Sequence, residues 1–240
     1  MHYRYYFSSR FIRNKKVLEI GCGCGQGLGF LTRKARLVVG GDLILDSLRL
    51  ARSHYGPRMS LVNMDAHHLP FRDDYFDVII CMQAVMYLDI HQFLKECSRI
   101  IKKKGLLIFN ITNKEAKGFK ASKASRNYFS LKELSEILAL HHFLPKFFSY
   151  SNQNPEEKKS VSLIRAWVVK TGMTLFNILP GGRKLKEYAV RLFLKSYQLK
   201  PEIEEDIITE IMGRVRFKEI KKILSLQETD VFYIQASNHK

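Results

Sequence analysis

The chain predicts an α/β fold, a doubly wound and mostly parallel sheet, and three observations predict it. Strand-like and helix-like segments alternate from Val17 to Phe109, the pattern of a parallel sheet covered by helices on both faces. The first buried-strand run, Val17 to Ile20, feeds a loop with glycine at every second position, Gly21, Gly23, Gly25 and Gly27. Glycine in such a loop lets backbone approach a ligand closely and tolerates unusual backbone angles. Finally, Glu19, Asp42, Asp65 and Cys81 fall at or near the carboxyl ends of successive strands, where sheets of this kind bind ligands.

Taken in order, the elements are these. After the strand at 17–20 and its loop, a helix opens over 27–34. Leu37 to Asp42 is a second strand ending in a carboxylate, and Leu61 to Ala66 a third, again with an acid near its end. Tyr75 to Cys81 is the fourth, and 100–109 is a helix end, a turn and a fifth strand. The loop is not a dinucleotide fingerprint, because G-x-G-x-x-G needs glycine at position 26, which is Gln26. Nor does a Lys-Ser/Thr pair follow it, as a phosphate-cradling loop requires. Glu19 beside the loop gives a pyrophosphate nothing, whereas a ligand carrying positive charge gains from it.

The run Val17-Leu18-Glu19-Ile20-Gly21-Cys22-Gly23-Cys24-Gly25 resembles motif I of the class I S-adenosylmethionine (SAM) methyltransferases, small-molecule type. The resemblance continues through the second to fifth strands, including Leu69-Pro70-Phe71, over roughly residues 15–112. It thins afterwards, where Tyr128 to Tyr150 looks like the family's late helix and sixth strand, and Val231 to Ser237 like its last. The resemblance implies a seven-stranded Rossmann-like methyltransferase sheet, a SAM cofactor and transferase activity. Residues 1–150 would then be the SAM-binding catalytic domain, 151–228 an inserted helical cap, and 229–240 the final strand returning to the sheet. Periodicity supports three helices in the insert, the third with Ile203, Ile207, Ile211 and Val215 along one face.

The implied cofactor-binding residues are Glu19, Gly21, Gly23, Gly25, Asp42, Leu43, Asp65, Ala66 and Cys81. A carboxylate at Asp42 can accept from both ribose hydroxyls, and one at Asp65 from the adenine amine. Ala66 N–H faces the ring, Leu43 walls it, and Cys81 lies where the methionine part would run. Glu19 organises the loop and answers the cofactor's amino end. Methyl transfer to a good nucleophile needs alignment and loss of water more than it needs a base. No catalytic residue is therefore forced, and Tyr87, Gln83 and His91 near the fourth strand's end are the candidates. His67 and His68 read as surface histidines, and His141-His142 has no metal partners in sight.

Forty Lys and Arg against 23 Asp and Glu give a net charge of +17, spread as +8 over 1–112 and +9 over 113–240. So even an excess is weak evidence for a docking face. The chain lacks the Asn/Asp-Pro-Pro-aromatic tetrapeptide of amide and adenine methylation, and no Pro precedes Cys81. The acceptor is therefore expected to be a small molecule, anionic or lipid-like, methylated at oxygen ahead of carbon or nitrogen. The basic run Lys114, Lys117, Lys120, Lys123 and Arg126 stands on the side where acceptors enter. The rivals are an RNA methyltransferase drawn by the charge and a SAM-binding partner subunit without turnover. Four cysteines without a C-x-x-C pair read as reduced thiols with no metal site. The first 16 residues lack the apolar run of a signal peptide, and no stretch of about 18 uncharged apolar residues exists. A cytoplasmic protein is expected, with a homodimer and peripheral membrane contact through the insert as open options.

Overall fold

A computed structural model of the chain describes residues 2–116, 119–122, 125–152, 215–219 and 231–240. The first five strands are β1 (Lys16–Ile20), β2 (Leu37–Asp42), β3 (Ser60–Asn63), β4 (Phe76–Met82) and β5 (Ile101–Thr112). Between and before them run α1 (His2–Ser9), α2 (Leu28–Thr32), α3 (Leu45–Tyr55) and α4 (Ile90–Ile100). Then follow α5 (Leu131–Leu140), β6 (Phe143–Asn152), β7 (Val215–Glu219) and β8 (Val231–Asn238).

The sheet order is β3-β2-β1-β4-β5-β8-β6-β7. β1 to β5 pair in parallel, and β8 lies antiparallel between β5 and β6. The doubly wound, mostly parallel architecture is thus present with its seven strands, and β7 extends it by an eighth at the far edge. Val215, expected on an apolar helical face, is instead the first residue of that strand. Val215-Arg216-Phe217-Lys218-Glu219 alternates apolar and polar residues, the period of a strand with one covered face. The rest of the expected cap, and Lys117 and Lys123, lie outside the described residues.

Both faces of the sheet are covered, so its central strands are apolar without alternation. Ile79 and Cys81 of β4 join Phe93, Leu94 and Cys97 of α4 and Leu134 and Leu138 of α5 in one core layer. Val78 and Ile80 join Phe7, Leu28, Leu31, Leu48 and Ala51 in the other. Each fully buried Leu, Ile or Phe contributes about 1.5–3 kcal/mol. The expected turn before the fifth strand is absorbed into β5 as a bulge. The β4–β5 register jumps from Phe76↔Ile101 to Val78↔Leu106, and Lys104 sits at φ +61°.

Two short features position the site. α4 is capped by Asp89, whose side chain accepts from Gln92 N–H. α5 begins with a reciprocal capping box between Ser130 and Glu133.

Candidate active site

The loop after β1 closes back on β2. The amides of Gly21 and Cys22 both donate to the Gly41 carbonyl, at 2.8 and 3.1 Å. Gly21, Gly23 and Gly25 all take positive φ, at +73°, +55° and +81°. Two of them are also short of room: a Cβ on Gly21 would lie 2.9 Å from Ala84 Cβ, and one on Gly25 2.9 Å from the Tyr55 ring. Gly23 faces open space. Gly21, Gly23 and Gly25 therefore serve left-handed backbone, and two of them close packing as well.

Beside this loop lies a cavity of about 560 Å³ at the carboxyl ends of β1, β2 and β4. It is lined by Gly21, Asp42, Leu43, Asp65, Ala66, Gln83 and Tyr87 among the expected residues. Ile44, Met64, His67, Leu88 and Arg126 line it too. Leu43 and Ile44 are 69% and 60% exposed, an apolar rim beside two carboxylates.

The carboxylates differ in their duties. Asp42 Oδ2 accepts from Gly23 N–H at 2.7 Å, and Oδ1 from Ile44 N–H at 2.8 Å. It ties the loop to the start of α3 and keeps lone pairs on both oxygens, since an ionised carboxylate offers about four acceptor positions. Asp65 Oδ1 accepts twice from His67, from its amide at 2.9 Å and its ring Nδ1 at 2.7 Å. Those bonds, the amide's first, hold the Asp65 carboxyl below the usual range. Its Oδ2 lies 3.8 Å from His68 Nδ1.

The remaining expected residues stand elsewhere. Glu19 is 1% exposed, beneath the loop. Its Oε1 accepts from Tyr5 OH of α1 at 2.7 Å, and its Oε2 is buried without a partner among the described residues. Burial raises its carboxyl to about 7, with Asp42 adding to the rise, while the Tyr5 bond and Arg4 oppose it. Gly23 and Gly25 hold the loop rather than line the cavity. Cys81 is 0% exposed in the core, and burial followed by Glu19 pushes its thiol up. It packs with Phe93, Leu94 and Cys97 of α4 and is not among the residues lining the cavity. His91 lies on the exposed face of α4, with Nδ1 3.1 Å from His141 Nε2, and is not among the residues lining the cavity. Burial, followed by His91 and His142, lowers the His141 pKa.

Two residues near the cavity, Asn110 and His67, were not singled out as site residues by pattern. Gln83 was, but not its backbone: it turns left-handed at φ +60°, with its amide held by Asn110 Oδ1 at 2.9 Å. Asn110 is fully buried, and its Nδ2 lacks a partner among the described residues. His67, read as a surface residue, lines the cavity and is fixed at both ring nitrogens. Arg126 is the described member of the basic run that reaches the cavity. Lys114 is tied to Glu133 instead. Among the described residues no cluster of His, Cys, Asp and Glu can hold a metal, and no helix is long and apolar enough to cross a membrane.

Residues 18–109 match the family model described as a methyltransferase domain. The match covers this segment alone, less than half of the chain. Among sequence relatives, a phthiotriol/phenolphthiotriol dimycocerosates methyltransferase of Mycobacterium ulcerans is 35% identical over 102 residues, 41% of this chain and 38% of that protein. A ubiquinone biosynthesis O-methyltransferase of Glaesserella parasuis is 28% identical over 114 residues, 44% of this chain and 48% of that protein. The chain thus spans less than half the length of either relative. A solved SAM-dependent methyltransferase of Thermotoga maritima, titled a possible histamine N-methyltransferase, superposes over 98% of this chain and 90% of that one. Its TM-score is 0.58 at 19% identity, a likeness of fold.

Proposed function

We propose that the chain is a SAM-dependent methyltransferase acting on a small-molecule acceptor, at oxygen. The observation that carries this reading is the pairing of Asp42 and Asp65 on one cavity beside a glycine loop held in left-handed backbone. The donor set fits the cofactor. Asp42 has unused lone pairs on both oxygens, suited to a vicinal diol, and Asp65 Oδ2 is free to accept from an exocyclic amine. Bound there, SAM supplies a methyl group already activated by a sulfonium.

The chain's own residues then bind, orient and exclude water. Asp42 fixes the ribose, Asp65 the base, and Ala66, Leu43 and Met64 enclose the ring. Gly21 lets the methionine part pass close to backbone. Tyr87 and Gln83 line the same cavity and orient the acceptor. Holding acceptor and methyl group in line, away from water, supplies most of what the displacement needs.

The acceptor's class follows from the remaining wall. Arg126 is the one cationic side chain lining the cavity among the described residues, and it stands with apolar Leu43, Ile44 and Leu88. An acceptor with an apolar body and a carboxylate or phosphate suits that lining. The names of the two sequence relatives, a phthiotriol/phenolphthiotriol dimycocerosates methyltransferase and a ubiquinone biosynthesis O-methyltransferase, support the same reading.

Asp42→Ala tests the cofactor assignment. Losing charge-assisted hydrogen bonds should weaken SAM binding by about 1.5–3 kcal/mol, measured by calorimetry on folded protein. Unchanged affinity would remove Asp42 from the site. Radiolabelled methyl transfer from SAM into fractionated cell extract then identifies the acceptor. Label recovered in RNA would replace the small-molecule reading.

A further inference from the structure

We infer that His67 is a positioning residue for the purine end of the cavity. It fixes the Asp65 carboxylate so that Oδ2 faces the ligand, which makes the site selective for 6-amino over 6-oxo purines. The inference rests on the proposed contact between Asp65 and the cofactor's base.

The argument starts from the ring's two nitrogens. His67 Nε2 lies 3.0 Å from Asp89 N. A backbone N–H can only donate, so Nε2 must accept and carries no proton. In the neutral ring the proton is then on Nδ1, which donates to Asp65 Oδ1 at 2.7 Å. The tautomer is thus set by a backbone group at the start of α4. That end is itself fixed, because Asp89 caps it through Gln92 N–H at 3.0 Å. Gln92 Nε2 also donates to the His67 carbonyl at 3.0 Å, so side chain and backbone of His67 are both anchored to α4.

The consequence for Asp65 is directional. Two donors, the His67 amide and Nδ1, converge on Oδ1. A carboxylate held at one oxygen by two bonds has one orientation for the other. Asp65 lies beyond the end of β3, in an isolated bridge to His68, so the strand ladder does not orient it. Its side chain is 44% exposed against 23% for His67. The more buried imidazole is therefore the support and the carboxylate the presented group. Both residues line the cavity. An acceptor fixed in this way rewards a ligand with an N–H at that point. It penalises one with a carbonyl, since two oxygens then face each other without a proton between them.

The test compares equilibrium affinities of the full chain for S-adenosylhomocysteine and its 6-oxo analogue S-inosylhomocysteine, by calorimetry. The wild-type chain should prefer the 6-amino compound by about tenfold or more, the scale of one mismatched buried polar contact. Asp65→Asn should abolish or reverse the preference, since an amide donates to a carbonyl. His67→Leu should bring the ratio close to one while the affinity for the 6-oxo compound stays within about twofold. His67→Asn, whose Nδ2 sits where Nδ1 did, should restore most of the ratio. His67→Gln, whose amide reaches the Nε2 position instead, should not. This last pair keeps the test decisive if the Leu variant does not fold. Equal ratios for the Asn and Gln variants would overturn the role of His67. An intact wild-type ratio in Asp65→Asn would overturn the contact with the base, and the inference with it. Collapse in Asp65→Asn with the ratio retained in His67→Leu would overturn the inference alone.

Discussion

Glu19 shows what a single buried carboxyl costs. Its ordinary value of 4.5 rises to about 7, chiefly through burial. Between those values the folded chain holds a proton that the unfolded chain has released. Stability from this group is therefore full below about pH 4.5 and is lost as pH rises toward 7. The loss is on the order of 3 kcal/mol at 1.36 kcal/mol per pKa unit. Glu19→Gln keeps an oxygen for Tyr5 OH and removes the titration. Without cofactor, its unfolding free energy should gain on wild type between pH 5 and pH 8 by up to about that amount, read from urea melts. The lowered carboxyls of Asp65, Asp77, Glu96 and Glu133 titrate below this window, and the lowered His141 contributes equally to both proteins. A difference that does not change with pH would contradict the account. Glu19 was legible as an important acid from its place before the glycines. Its Tyr5 partner, 14 residues upstream, was not, since no spacing rule joins them.

At the scale of elements, α1 carries the largest unpredicted role. Its sequence has no acid in the first turn and no base in the last, so it lacks the marks of a helix. Packing supplies what propensity does not: Phe7 is fully buried, and Tyr5 lies across the backbone of Gly27. A Cβ on Gly27 would sit 1.8 Å from Tyr5 Cε1, so this glycine is required by contact rather than by backbone angle. Gly27→Ala should destabilise the chain by about 1–3 kcal/mol through overpacking and free α1 for proteolysis. The same substitution in a Tyr5→Ala background should cost much less, and the double-mutant cycle measures the coupling. Additive effects would show that the ring and the glycine do not meet. α5, by contrast, was visible in Tyr128 to Tyr150, and its Ser130–Glu133 capping box is a local signal.

For the whole molecule the decisive feature is where the last strand goes. β8 sits between β5 and β6, paired over seven positions with the first and six with the second. Ile234 and Ala236 are fully buried, and Lys240 Nζ reaches Asp74 and the carbonyl of Ser98. The last ten residues thus close the antiparallel half of the sheet across more than 100 residues of chain. A chain ending at residue 230 should lose its cooperative unfolding transition, because removing a central strand leaves two inner edges unpaired. Retention of one transition at the wild-type midpoint, by circular dichroism in urea, would show β8 to be dispensable.

The sequence by itself determined the doubly wound sheet, the glycine loop and the acids Asp42 and Asp65 beside it. Those signals are local: strand and helix periods, glycine spacing, and an acid at a strand end. Tertiary structure alone decided which of the marked residues share a cavity. It turned Cys81 into the core beside Phe93, Leu94 and Cys97 of α4, and it set His91 against His141 on the far side of α4. It brought Arg126 beside Tyr87, and His67 between Asp65 and Asp89. These meetings join residues 22 to 50 positions apart, as between His67 and Asp89 or His91 and His141. No pattern along the chain records which residues at such separations will come within hydrogen-bond reach of each other.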